Sequence, residues 1–159
     1  MITHIFNDGG REAAGYKGFT GDCVARAIAI ATEKSYQSVY DELTWANEYY
    51  ANSHNNKTAK HLRNKKEKGR GFSPRMGVPM EVIKFYLDIN KWHWVPTMFV
   101  GQGTKVHLTE DELPKGRLIV RVTKHVTAVI DGVLHDTYDC SRDGTRAVYG
   151  YFTKEYQNV

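Results

Sequence analysis

The stretch that most constrains this chain is Gly21-Asp22-Cys23-Val24-Ala25-Arg26-Ala27-Ile28-Ala29-Ile30-Ala31. It is Ala-rich and apolar, and Val24, Ala27, Ile28 and Ala31 recur at helical spacing, which predicts a core helix running to about Thr32. Asp22 is suited to cap it, since its carboxylate can accept the free N–H groups of the first turn. Cys23 then sits in that turn, where unpaired N–H groups and the positive end of the helix dipole stabilise a thiolate. A thiol there is either a nucleophile or a small buried hydrophobe. Arg26 lies off the buried face, free to reach out.

Around this helix the two halves of the chain read differently. Ile2 to Phe6 alternates as a short edge strand, ended by the turn Asn7-Asp8-Gly9-Gly10. Ser35 caps a second helix with Val39, Leu43 and Ala46 on one side, and Gly77-Val78-Pro79 opens a third that stops near Asn90. Beyond it, Trp92 to Val100, Arg117 to Val122, His125 to Ile130, Val133 to Tyr138 and Arg146 to Phe152 are β-branched and aromatic runs. Asp131-Gly132 is a two-residue hairpin signal. Thr109 to Leu113 reads as a short helical turn with a capping box. At 159 residues the chain suits one domain, residues 1–159. Helices first and strands later predict an α+β fold with a C-terminal antiparallel sheet.

Charge is uneven. Between Ala51 and Gly71 apolar periodicity disappears, and Lys57, Lys60, Arg63, Lys65, Lys66, Lys68 and Arg70 stand against Glu67 alone, although the whole chain nets only +4. That segment reads as a basic, mobile loop. It is either solvated or a contact for nucleic acid or an acidic partner.

Two cysteines, Cys23 and Cys140, lack any Cys-x-x-Cys spacing, and no His-x-x-x-His occurs. Neither a structural zinc site nor another cofactor is expected. Free thiols fit better than a disulfide. A thiol becomes a catalyst when a base is within reach and a third group orients the base. His125 opens one strand of the hairpin and Asp136 lies on the returning strand. If Asp131-Gly132 forms the turn, Ile130 pairs with Val133, Thr127 faces Asp136 and His125 faces Tyr138. His125, Thr127, Asp136 and Tyr138 then share a face, with Asp136 diagonal to His125. Asp139 falls opposite Lys124 on the other face. His135 points away from Asp136, and Cys140 belongs to a turn, so both read as structural.

Asp22-Cys23-Val24-Ala25-Arg26-Ala27, then Lys124 to Gly132, then His135-Asp136-Thr137 place a helix-start Cys, a strand His and a following acid in the order of papain-like cysteine peptidases. The segments also resemble small uncharacterised phage and prophage proteins of that superfamily. The resemblance implies N-terminal helices packed on a sheet with a cleft between. It also implies a cysteine hydrolase acting on a peptide, isopeptide or other amide, with Cys23 as nucleophile, His125 as base and Asp136 as orienting acid. It departs where such enzymes carry a Gln before the Cys; residues 16–20 contain none. The Cys23 N–H can supply one oxyanion donor, and Asn7, Lys17 or Thr20 the second. The alternative is an inactive relative that binds nucleic acid or a host protein through the basic segment. No apolar run approaches ~20 residues and Met1 to Phe6 has no secretion-signal pattern. The expected location is the cytoplasm, the host's if the protein is phage-encoded.

Overall fold

In a computed structural model, residues 1–18 and 21–154 are described. Helices α1 (Cys23–Thr32), α2 (Tyr36–Ser53), α3 (Lys57–Glu67) and α4 (Met80–Ile89) follow strand β1 (Thr3–Phe6). They precede β2 (His93–Pro96), β3 (Arg117–Val122), β4 (His125–Ile130), β5 (Val133–Asp136) and β6 (Gly150–Thr153). The fold is α+β, with a six-stranded sheet in the order β1-β5-β4-β3-β6-β2. None of its helices is long and apolar enough to cross a membrane, among the described residues.

Strands β3 and β4 are buried on both faces, which is why they read as near-continuous apolar runs. On one face Ile119, Val126, Ala128 and Phe152 pack against α1, α2 and α4. On the other, Leu118, Val120, Val129 and Leu134 meet Ile2, Leu108, Cys140 and Val148. Helix α1 is buried along nearly its whole circumference, with only Cys23, Arg26 and Thr32 partly exposed.

The ends of α1 are set by β3. Arg117 donates to the carbonyls of Ala31 at 2.6 Å and Ile30 at 2.7 Å, satisfying the exposed C-terminal turn. Arg117 pairs with Ile130, whereas Val122 pairs with His125 at the other end of the same ladder. Ten helical residues span roughly 15 Å. Anchoring the C-terminus of α1 at Arg117 therefore lays its N-terminus, and Cys23, beside the start of β4.

The expected antiparallel C-terminal sheet is corrected in one respect: the sheet is mixed, because β1 from the N-terminus adds parallel to β5, Thr3 against Val133 through Phe6 against Asp136. The alternation in Ile2 to Phe6 marks a strand but carries no information on its partner. The expected loop at 51–71 is also corrected. Helix α2 runs to Ser53, and α3 occupies Lys57–Glu67. Only Ala59 and Leu62 of α3 are buried, against α2. Two apolar residues are too few to show a period, yet suffice when Asn56 caps the helix by accepting from Ala59 N–H at 2.9 Å. Thr109 to Leu113 is a turn, not a helix. The hydroxyl of Thr109 bonds the Glu112 carboxylate at 3.0 Å, and no helix continues from it.

Candidate active site

Cys23 is the first residue of α1 and is half-buried. Its sulfur lies near enough to His125 and to the backbone N–H of Val126 for both to favour the thiolate. His125 is the first residue of β4 and only 7% exposed. Its Nε2 lies 2.7 Å from Oδ2 of Asp136, the last residue of β5, leaving Nδ1 for the thiol.

The hairpin register makes this contact. Ile130 pairs with Val133, Val129 with Leu134 and Ala128 with His135 across the Asp131-Gly132 turn. Asp136 consequently shares a face with Thr127 and His125, and its Oδ2 accepts from the Thr127 hydroxyl at 2.7 Å. Tyr138 stands beside the His125 ring, centroids 5.4 Å apart. Asp139 is exposed and spends its carboxylate on its own turn, accepting from the Ser141 N–H and hydroxyl. His135 faces the opposite way, toward the Asn7 amide.

Asp22 departs from expectation. Its side chain makes no cap hydrogen bond. The carboxylate is 1% exposed, faces Arg11 at 3.1 Å and Arg26 at 2.9 Å, and accepts from the Tyr36 hydroxyl at 2.5 Å. Charged and hydroxyl donors outcompete the neutral amides of the first turn. Arg26 also points inward, its Nη2 3.7 Å from Asp136 Oδ1. Arg11, Asp22, Arg26, Asp136, His125 and Cys23 thus form a line of alternating charge when the thiol is ionised and the imidazole protonated.

The line favours that ion pair. Burial pushes the Cys23 thiol up, but the hydrogen bond and charge of His125, the Val126 N–H and Arg26 outweigh it and hold it below an ordinary thiol. Burial pulls His125 down, and Asp136, Cys140 and Cys23 more than reverse this, holding it well above an ordinary imidazole. Burial raises Asp136, yet His125, Thr127 and the Thr137 N–H keep it below the usual carboxylate range.

Cys140 belongs to the same cluster, which its turn-like sequence did not disclose. It is 1% exposed, with its sulfur 3.7 Å from Asp136 Oδ2. Donor atoms of His125, Asp136 and Cys140 lie within 4.8 Å of one another, and these residue types can hold a metal. Two ligands of a tetrahedral zinc stand roughly 3.4 Å apart at ordinary bond lengths, so the 2.7 Å between Nε2 and Oδ2 is a hydrogen bond. As arranged, the cluster holds protons.

The oxyanion expectations fare worse. Asn7 is committed elsewhere, its Nδ2 to His135 at 3.2 Å and its Oδ1 accepting from Gly9 N–H at 2.9 Å. That turn is fixed by Gly9, whose φ of 70° and close approach to the Arg26 carbonyl exclude a side chain. Lys17 is exposed and does not line the cleft at Cys23. Thr20 lies outside the described residues. The cleft itself, about 400 Å³, opens between the start of α1, Gly77-Val78 and the β3–β4 end of the sheet, with Tyr138 at its wall.

Against protein-family models, curated proteins and solved structures, the chain has no match.

Proposed function

We propose that this protein is a papain-like cysteine hydrolase acting on an amide, isopeptide or thioester carbonyl. The observation that carries the reading is the convergence of Cys23 and His125 on one cleft, with the His125 ring bonded behind it to Asp136 at 2.7 Å. A helix bearing the thiol lies against a sheet that supplies base and acid from adjacent antiparallel strands, the order in which papain-like peptidases place these groups.

In this reading the Cys23 thiolate attacks the carbonyl carbon, forming a C–S bond as the C=O pair moves onto oxygen. The oxyanion develops beside the N-terminus of α1, where unpaired amides favour negative charge. The tetrahedral intermediate expels the leaving amine or thiolate, which takes the proton from His125 Nδ1 and leaves a thioester on Cys23. Water, deprotonated by the now neutral His125, attacks that thioester and releases the acid and the thiolate. Asp136 holds Nε2–H throughout, fixing the tautomer and stabilising the imidazolium.

The test is alkylation by iodoacetamide, with modified residues located by mass spectrometry. Cys23 should react at neutral and mildly acidic pH, where free cysteine is slow, and buried Cys140 should stay unmodified. A Cys23 rate that follows the pH profile of free cysteine overturns the proposal.

A second reading rests on α3. With Ala59 and Leu62 turned inward, Lys57, Lys60 and Lys66 are exposed, whereas Arg63 is spent on the Ala51 and His54 carbonyls. This cationic face suits nucleic acid or an acidic partner. DNA affinity that falls steeply with salt supports it, and salt-independent binding or none removes it.

A further inference from the structure

The cleft beside Cys23 has an unbalanced wall. Its charged lining residues are Arg26, Arg121, Lys124 and His125, and no carboxylate lines it among the described residues. Arg26 is neutralised by Asp22 at 2.9 Å, and His125 by Asp136 at 2.7 Å. Arg121 and Lys124 are different. Neither side chain has an ion pair or hydrogen bond among the described residues. Arg121 is half-buried and Lys124 exposed.

Their placement follows from the β3–β4 hairpin. Arg121 pairs with Val126, so it lies on the α1 side of the sheet, one position from the strand end that carries His125. Lys124 immediately precedes His125, in left-handed backbone at φ 54° that glycine or asparagine adopts at lower cost. A strand arginine and a strained turn lysine thus flank the reacting pair with their charges uncompensated. Two uncompensated cations at the rim of a partly desolvated cleft create a potential that attracts and orients an anion. The guanidinium fork matches a carboxylate in particular.

We infer that the cleft selects substrates bearing a carboxylate beside the scissile carbonyl, held by Arg121 and Lys124. This rests on the hydrolase reading and adds its substrate class. The carboxylate comes either from an acidic side chain or from a chain end. Both present the same chemistry to the two cations.

Two small probes of nearly equal size test it, iodoacetate and iodoacetamide. Each places one group next to a reactive carbon; the thiolate displaces iodide and forms a C–S bond. The quantity read is the iodoacetate-to-iodoacetamide rate ratio at Cys23, divided by the same ratio for free cysteine. This cancels the thiolate fraction, so it reports the cleft's charge whatever the titration of Cys23. The ratio should exceed that of free cysteine roughly tenfold at low salt and shrink as salt is added. Arg121→Gln with Lys124→Gln should remove most of the excess, leaving what the imidazolium supplies. Lys124→Gln alone, at an exposed turn that tolerates it, should remove about half on a logarithmic scale. A ratio unaltered by either variant overturns the inference. An ordinary thiol pH profile with iodoacetamide instead overturns the hydrolase reading, so the two failures are distinguishable. Matched peptides then locate the carboxylate. Glu against Gln at the residue donating the carbonyl reads a side chain, and free acid against amide reads a chain end. A preference within either pair supports the inference, and equal cleavage within both overturns it.

Discussion

Asp136→Asn is the sharpest perturbation of the proposed chemistry. The carboxylate is 4% exposed, and every oxygen lone pair used has a donor opposite it. Oδ2 receives His125 and Thr127, both at 2.7 Å, and Oδ1 receives the Thr137 N–H at 2.7 Å. An amide has one oxygen. The Thr137 N–H cannot reverse its role, and Arg26 Nη2 stands 3.7 Å from the same atom, so the amide oxygen must take the Oδ1 position. Its NH2 group then faces Thr127, which can accept, and His125 Nε2, which must accept as well. His125 becomes neutral with its proton on Nδ1, facing the sulfur. Cys23 loses both its base and its counter-charge. A misassigned tautomer of this kind costs on the order of 10²–10⁴ in turnover. Loss of the charge-assisted His–Asp bond, and weakening of the Arg26 contact, destabilises the fold by about 3 kcal/mol. For a chain of this length that lowers Tm by roughly 6–12 °C. The assay pairs thermal denaturation with iodoacetamide kinetics against pH. The variant should acquire the steep rise toward alkaline pH of an ordinary thiol. If Asp136→Asn keeps the wild-type pH profile while Tm falls, Asp136 is structural and the triad assignment fails.

Asp139→Asn should leave both the alkylation profile and turnover unchanged, because the exposed Asp139 carboxylate bonds only Ser141 of its own turn; a crippled Asp139→Asn variant would refute the register argument. Cys23→Ala should abolish alkylation and hydrolysis, with Tm within a few degrees of wild type as judged by calorimetry, since the position is half-buried and a helix start accepts alanine. Acid should destabilise the fold through Asp136. Its folded pKa is depressed, so its contribution is complete above the unfolded carboxylate value near 3.9 and is lost as pH falls through the folded value. Asp136→Asn should therefore flatten the acid limb of Tm against pH, and an unaltered limb would count against the buried pair. Limited trypsin digestion should cut at Lys68 and Arg70, each followed by a glycine beyond α3, before any site within Lys57–Glu67; first cleavage inside α3 would contradict its anchoring by Ala59 and Leu62.

Much of the site was legible in the chain because it depends on local rules. The 3.6 period and apolar composition of residues 23–32 require a buried helix, and Cys23 must start it. Asp131-Gly132 admits a two-residue turn, and period-two alternation then puts His125, Thr127 and Asp136 on one face with no knowledge of what covers it. Other features were not legible because they depend on contacts between segments with no sequence relation. Arg117 clamps the far end of α1 and so decides that Cys23 meets His125. Asp22 has the identity of a cap, but Arg11, Arg26 and Tyr36 converge on it and change its role. The parallel addition of β1 to β5 rests on backbone groups that every residue carries. Asn7 was a plausible oxyanion donor until its amide found His135. Composition and periodicity specify which face of an element is apolar and how a turn sets register. Which polar group meets which is settled only when the elements pack, since a buried charge takes its strongest partner within reach and that reach is defined by the tertiary fold.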